Sequence, residues 1–175
     1  MGRHTILGLE ISTGRLALRI AAGVMLAAVL FAFLSLLPMA AQGILSEFLP
    51  EEFGAFYDVI APLIHPALPF TGAAIAFLSL LIVVLRGSAA YGPVTAAFGL
   101  AFIAHILLAF SFGTPSLAFP PEMITQALQE ALNMPVAIDI ELAAYADLTG
   151  LMLVFMLPFI LTVIKGVILT VSRRS

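Results

Sequence analysis

The sequence predicts an all-α integral membrane protein: an up-down bundle of four transmembrane helices under a small acidic, partly helical extracytoplasmic cap. Three observations predict this. First, the 175 residues are 62% hydrophobic and 10% charged, with mean hydropathy +1.17. A soluble domain carries about 25% charged and about 45–50% apolar residues, and a chain this short has too much surface to hide the excess in a core. Second, four runs, 20–41, 69–85, 93–112 and 148–171, approach the roughly 20 apolar residues that cross a ~30 Å hydrocarbon layer at 1.5 Å per residue. Third, charge is partitioned between the connections. All seven basic residues (Arg3, Arg15, Arg19, Arg86, Lys165, Arg173, Arg174) fall on one side, and every acid but Glu10 falls on the other. The runs are apolar on every face rather than alternating, which excludes barrel strands.

The first run follows Arg3, Arg15 and Arg19 as a signal peptide would. It is long enough to span and leads into three further apolar segments, so it reads as the first span. The second and third spans are joined by Arg86-Gly87-Ser88-Ala89-Ala90-Tyr91-Gly92-Pro93. Glycine there permits a tight turn and Pro93 suits a first helical turn, so these two helices are antiparallel neighbours. Lys165, in the fourth span, can snorkel to the interface. The basic bias places both termini and the short turn in the cytoplasm, giving a multi-pass plasma-membrane protein of one domain, 1–175. With no Trp, interfacial anchoring falls to Tyr57, Tyr91, Tyr145 and the phenylalanines.

The outer loops, 42–68 and 113–147, are long for structureless connections. A short amphipathic helix is expected near Glu51–Ile60. Another is expected after Pro120-Pro121, with Glu122 in its first turn and Met123, Ala127, Ala131 and Met134 at helical spacing. From Val136 onward the chain is expected to extend the fourth helix above the membrane, with Asp139, Ala143 and Asp147 on one face.

Functional candidates are few. His105 is the ionisable residue deep in a span, which by default marks a functional hypothesis. It lies on the stripe Ala97, Ala101, His105 and Ala109, whose small residues let another helix approach closely. Gly72 and Ala76 of the second span form a second packing face, and Gly23 and Ala27 of the first a third. The bland reading of His105 is a neutral imidazole bonded to a hydroxyl or carbonyl of a neighbouring helix; the functional readings are haem ligation, proton relay or quinone contact. His65, at or above the outer interface, is too shallow to pair with His105 on one haem. Glu51, Glu52, Asp139, Glu141 and Asp147 form an acidic outer surface, either ordinary solvated charge or a cation-attracting mouth. They lack metal-loop spacing. Pro38 and Pro158 remove helical hydrogen bonds and can kink their spans.

Absent cysteines exclude disulfides, thiolate metal sites and cysteine nucleophiles. Phosphate-binding loops and HExxH are missing, no basic patch supports nucleic-acid binding, and the sequence requires no cofactor. The layout resembles the tetraspan arrangement of claudins and of large-pore channel subunits, although the Trp- and Cys-dependent motifs of claudins and tetraspanins are missing. It is also similar in outline to DoxX/DoxD-type small membrane subunits of respiratory enzymes, over Arg19-Ile20-Ala21-Ala22-Gly23-Val24-Met25-Leu26 and the tight second turn. That fragment is generic and assigns no family. The expected function is non-catalytic: a small subunit embedded in the lipid bilayer that assembles with itself or with larger membrane partners. The alternatives are an oligomeric channel with a cation-attracting mouth and a redox anchor with His105 near haem or quinone.

Overall fold

The computed structural model describes residues 3–6, 9–48, 64–119, 121, 124, 125, 129 and 142–172. The chain is mostly helical. It opens with an antiparallel hairpin, β1 (Arg3–Ile6) and β2 (Leu9–Ser12), paired from Arg3↔Ser12 to Ile6↔Leu9. Helix α1 (Thr13–Phe31) passes through a π turn at Ala32–Leu36 into α2 (Leu37–Phe48). Then come α3 (Leu68–Val84), α4 (Tyr91–Ala109) and α5 (Thr149–Val171). Among the described residues three helices are long and apolar enough to cross a membrane: Thr13–Ala41, Tyr91–Ala109 and Thr149–Val171. Leu68–Val84, the second expected span, is also apolar but has 17 residues.

The π turn has a local cause. Pro38 has no N–H to offer the Leu34 carbonyl, and its ring crowds that carbonyl. The helix widens by one residue, and the Leu37 N–H bonds to the Ala32 carbonyl, five residues back. The first helix also starts at Thr13, seven residues before the apolar run, because Arg15 and Arg19 are good helix formers and hydrophobicity does not set the helix boundary.

The connection between α4 and α5 departs from expectation. Helix α4 stops at Ala109, and a tight turn with positive φ at Ser111, Phe112 and Gly113 follows. Strand β3 (Ser116–Phe119) then pairs antiparallel with β4 (Leu142–Tyr145). The expected upward extension of the fourth helix, with Ala143 and Asp147 on one helical face, is therefore corrected. Residues 142–145 are a strand, held further by Ala146 N–H on the Pro115 carbonyl and Leu148 N–H on the Gly113 carbonyl. Pro121, Ile124, Thr125 and Gln129 are helical. The helix expected near residues 51–60 and the face containing Asp139 lie outside the described residues.

The helices pack in chain order: α1 on α3, α3 on α4, α4 on α5. Among the described residues no extended seam joins α1 to α5, so the helices form an open row and not a closed square. The small core sits in the middle of this row, where Ile75 of α3 is fully buried beside buried Ala76 and Ser79.

Candidate functional site

The polar contacts between helices gather at the first turn of α3. The Ala67 N–H, one of the unpaired donors of the helix start, donates to His65 Nδ1 at 3.1 Å. His65 therefore carries its proton on Nε2 and serves as a cap. The Ala67 and Leu68 carbonyls both lie within reach of Thr71 Oγ1, at 3.3 and 3.0 Å. One residue on, the Pro69 carbonyl accepts a 2.7 Å bond from Ser35 Oγ of the π turn. Ser35 is 1% exposed, so this hydroxyl crosses between helices away from any solvent.

Thr71 Oγ1 is also 2.8 Å from Nδ1 of His105, which is 8% exposed. A hydroxyl has one proton and two acceptor lone pairs. The two shorter of its three contacts are satisfied when the Thr71 O–H donates to the Leu68 carbonyl and accepts from His105 Nδ1–H. We assign this tautomer from the network. Among the described residues it leaves the His105 Nε2 lone pair as the open valence of the site, an acceptor with which the imidazole can take a hydrogen bond or coordinate a metal. Among the described residues no group of three or more His, Asp or Glu side chains could hold a metal ion.

The expected packing stripe is divided. His105 is buried and Ala101 half-buried, but Ala97 and Ala109 are exposed. The close seam of α4 runs instead along Gly92, Ala96, Gly99 and Phe102, against Thr170, Gly166, Val163 and Phe159 of α5. Glycine beats alanine here because the backbones nearly touch. A Cβ at Gly99 would lie 2.8 Å from the Phe159 carbonyl, and one at Gly166 would lie 2.8 Å from Ala96 Cα. Gly72 and Ala76 are both buried; Gly72 lies against Ser35 and the Leu34 carbonyl, to which Pro38 has no N–H to offer.

Of the outer acids, Glu51, Glu52, Asp139 and Glu141 lie outside the described residues. Asp147 is exposed at the start of α5, where Oδ1 accepts the Thr149 N–H at 3.0 Å. Hydrogen bonds from Thr149 hold its carboxyl below the ordinary carboxylate range. At the opposite end, Arg19 Nη1 of α1 donates to the Arg86 carbonyl in the α3–α4 turn at 2.7 Å.

Sequence reasoning missed Thr71, Ser35 and the Arg19–Arg86 tie. For Thr71 a signal existed: it is a hydroxyl near the N-terminal end of its run, which an antiparallel neighbour brings level with the C-terminal part of the next run, where His105 lies. Ser35 had none, because only the π turn aims it at α3. Comparison with protein-family models, curated proteins and solved structures finds no match to this chain.

Proposed function

We propose that this chain is a four-crossing membrane protein with both ends cytoplasmic, and that it acts without catalysis as a small subunit assembling with copies of itself or with larger membrane partners. The open row carries this reading. Among the described residues helices α1 and α5 share no extended seam, and the first and last helical segments leave large apolar side chains uncovered along their length, from Leu18 to Leu36 and from Leu151 to Val171. A row exposes more helix surface than a closed four-helix square, and that surface is available to further helices.

Two ties support a full crossing by α3 despite its 17 residues. Its outer end is bonded to Ser35 and the turn at its inner end to Arg19, points on one continuous helix separated by about 24 Å at 1.5 Å per residue. The basic bias supports the cytoplasmic assignment of the Arg86 turn.

Native mass spectrometry after gentle extraction from the membrane tests the assembly. An integer multiple of 18.5 kDa is expected for a homo-oligomer, and would bring the channel reading forward for ion-flux measurement. A larger mixed mass is expected for an accessory subunit. A fully active 18.5 kDa monomer would remove the proposal. The cysteine-free chain makes the topology directly measurable: a cysteine at Ala89 should label from the cytoplasmic side and one at Ala146 from the other. The reverse pattern would invert the orientation.

A further inference from the structure

Between α1 and α3 lies an open groove of about 380 Å³, lined entirely by apolar side chains, including Ala27, Ala28, Phe31, Ala73, Phe77 and Leu80. Its volume is within the range of small-molecule sites, about 300–1,000 Å³. The groove follows a seam held at two points of close approach, Gly23 on Leu80 and Leu34 on Gly72. Shape alone does not say what covers it. The inner end of the seam does.

Arg15, Arg19, Gly23 and Ala27 follow one i+4 ridge of α1, inclined to the helix axis. One turn below the Gly23–Leu80 contact, the Arg19 guanidinium is fixed by its 2.7 Å bond to the Arg86 carbonyl. That bond uses one of its five N–H donors. The remaining donors, the exposed Arg15 one turn further and the exposed Arg86 side chain on the turn itself make a cationic corner. Glu10 on β2 is the acid at this end among the described residues, so positive charge prevails. An apolar trough that begins one turn above an immobilised guanidinium is complementary to a molecule with a hydrocarbon tail and an anionic head.

We propose that the α1–α3 groove binds an anionic phospholipid, one acyl chain lying over Ala28 and Phe77 and the phosphate bonded by Arg19 and Arg15. The inference needs the chain to lie in a bilayer but does not need it to assemble, so the two proposals can fail separately. Arginine suits the head because its planar fork offers parallel donors to phosphate oxygens. The chain is held by shape and by removal from competing lipids rather than by hydrophobicity, which lipid tails supply equally.

The test is native mass spectrometry of the full chain in detergent, titrated separately with phosphatidylglycerol and phosphatidylcholine of identical acyl chains. The protein mass reads assembly and the lipid adducts read binding. Phosphatidylglycerol should bind at least fivefold more tightly, the preference about one basic residue gives near a membrane surface. Arg19→Gln should remove most of that preference, weakening phosphatidylcholine far less, because the choline ammonium already neutralises its phosphate. Arg15→Gln, which leaves the Arg19–Arg86 tie intact and so guards against misfolding, should reduce it partly. Ala28→Phe should weaken both lipids equally by filling the groove at an exposed position. Inorganic phosphate at equal concentration should not compete, since it lacks the tail. Equal affinity for the two lipids would overturn the proposal. So would a preference that survives both arginine changes, or a groove whose filling by Ala28→Phe displaces a second copy of the chain and no lipid.

Discussion

The two outer seams of the row are built by opposite means. Between α4 and α5 the threonine hydroxyls described do not cross. Thr95, Thr162 and Thr170 each donate to the carbonyl four residues back in their own helix, at 2.7, 2.8 and 2.8 Å, a habit of hydroxyls within helices. The seam is held by shape, with glycines toward the N-terminal end of α4 and the Phe102–Phe159 stack, centroids 4.2 Å apart, beyond them. Between α1 and α3, by contrast, Ser35 and Arg19 each reach across to a backbone carbonyl, one near each end of α3, and the middle is left as a groove. Inside a bilayer the apolar side chains gain little by leaving lipid for protein, so association rests on close contact and on buried hydrogen bonds. One seam uses the first means, the other mainly the second.

The comparison breaks most sharply at Gly166. A Cβ there meets the Ala96 backbone, which cannot move aside as a side-chain tip would. Gly166→Val should therefore destabilise the fold by about 2–3 kcal/mol, the cost of overpacking a tight contact, in reversible detergent-titrated unfolding. Gly150→Val in the same helix is the control, since a Cβ at Gly150 meets nothing within 4 Å. Equal losses for the two would show that backbone proximity does not hold this seam.

On the α1–α3 side the expected effects are smaller and coupled. Ser35→Ala should cost about 1 kcal/mol, within the range for hydrogen bonds between membrane helices. Pro38→Ala restores an N–H four residues beyond the Leu34 carbonyl, so the π turn should relax to α-helix and rotate Ser35 away from Pro69. In that background Ser35→Ala should cost nothing further. A double-mutant cycle should show a coupling of about 1 kcal/mol; additive losses would mean that Pro38 does not aim the serine.

Helix positions were legible in the sequence to within a few residues for α3, α4 and α5, because a long apolar run has one stable backbone in lipid. What was not legible depended on geometry that emerges only on folding. The choice of the Gly92–Gly99 face of α4 over the Ala97–Ala109 stripe turns on tenths of an ångström between backbones. The pairing of β3 with β4 joins segments more than 20 residues apart, and the alanines of 143–144 favour helix locally. The first hairpin did leave a local mark: the strand formers Thr5, Ile6 and Ile11 flank Gly8, with two residues between the paired Ile6 and Leu9. At the site, His105 was legible by type and depth, whereas its partner Thr71 required knowing which face of α3 meets α4.

The central seam, between α3 and α4, sharpens the comparison because the Thr71–His105 tie across it joins two side chains. Thr71→Val keeps the shape and removes the hydroxyl. The loss should be about 0.6 kcal/mol, the mean for such bonds in a membrane protein. The tautomer gives a second readout. In the native chain the ¹⁵N signature of His105 should be that of a neutral ring protonated at Nδ1, and in Thr71→Val that preference should disappear. A ring protonated at Nε2 in the native chain would reverse the direction of the bond and leave the site a donor in place of an acceptor.

The smallest effect is expected at the start of α5, outside the apolar layer. Asp147 is exposed and ends the strand-to-helix connection by accepting the Thr149 N–H. Because the folded carboxyl is held below its ordinary value, its contribution to stability is present above that value and fades as pH falls through the lower, folded one. The Thr149 amide resonance should therefore titrate on the acid side of an ordinary aspartate. Asp147→Asn keeps a side-chain carbonyl to accept the bond and should abolish the titration with little fraying. Asp147→Ala should abolish both the titration and the cap, and raise amide exchange in the first turn of α5 alone. Salt should weaken the pH dependence, since exposed charge is screened, while leaving the Gly166 and Ser35 effects untouched, because those seams lie where salt does not reach.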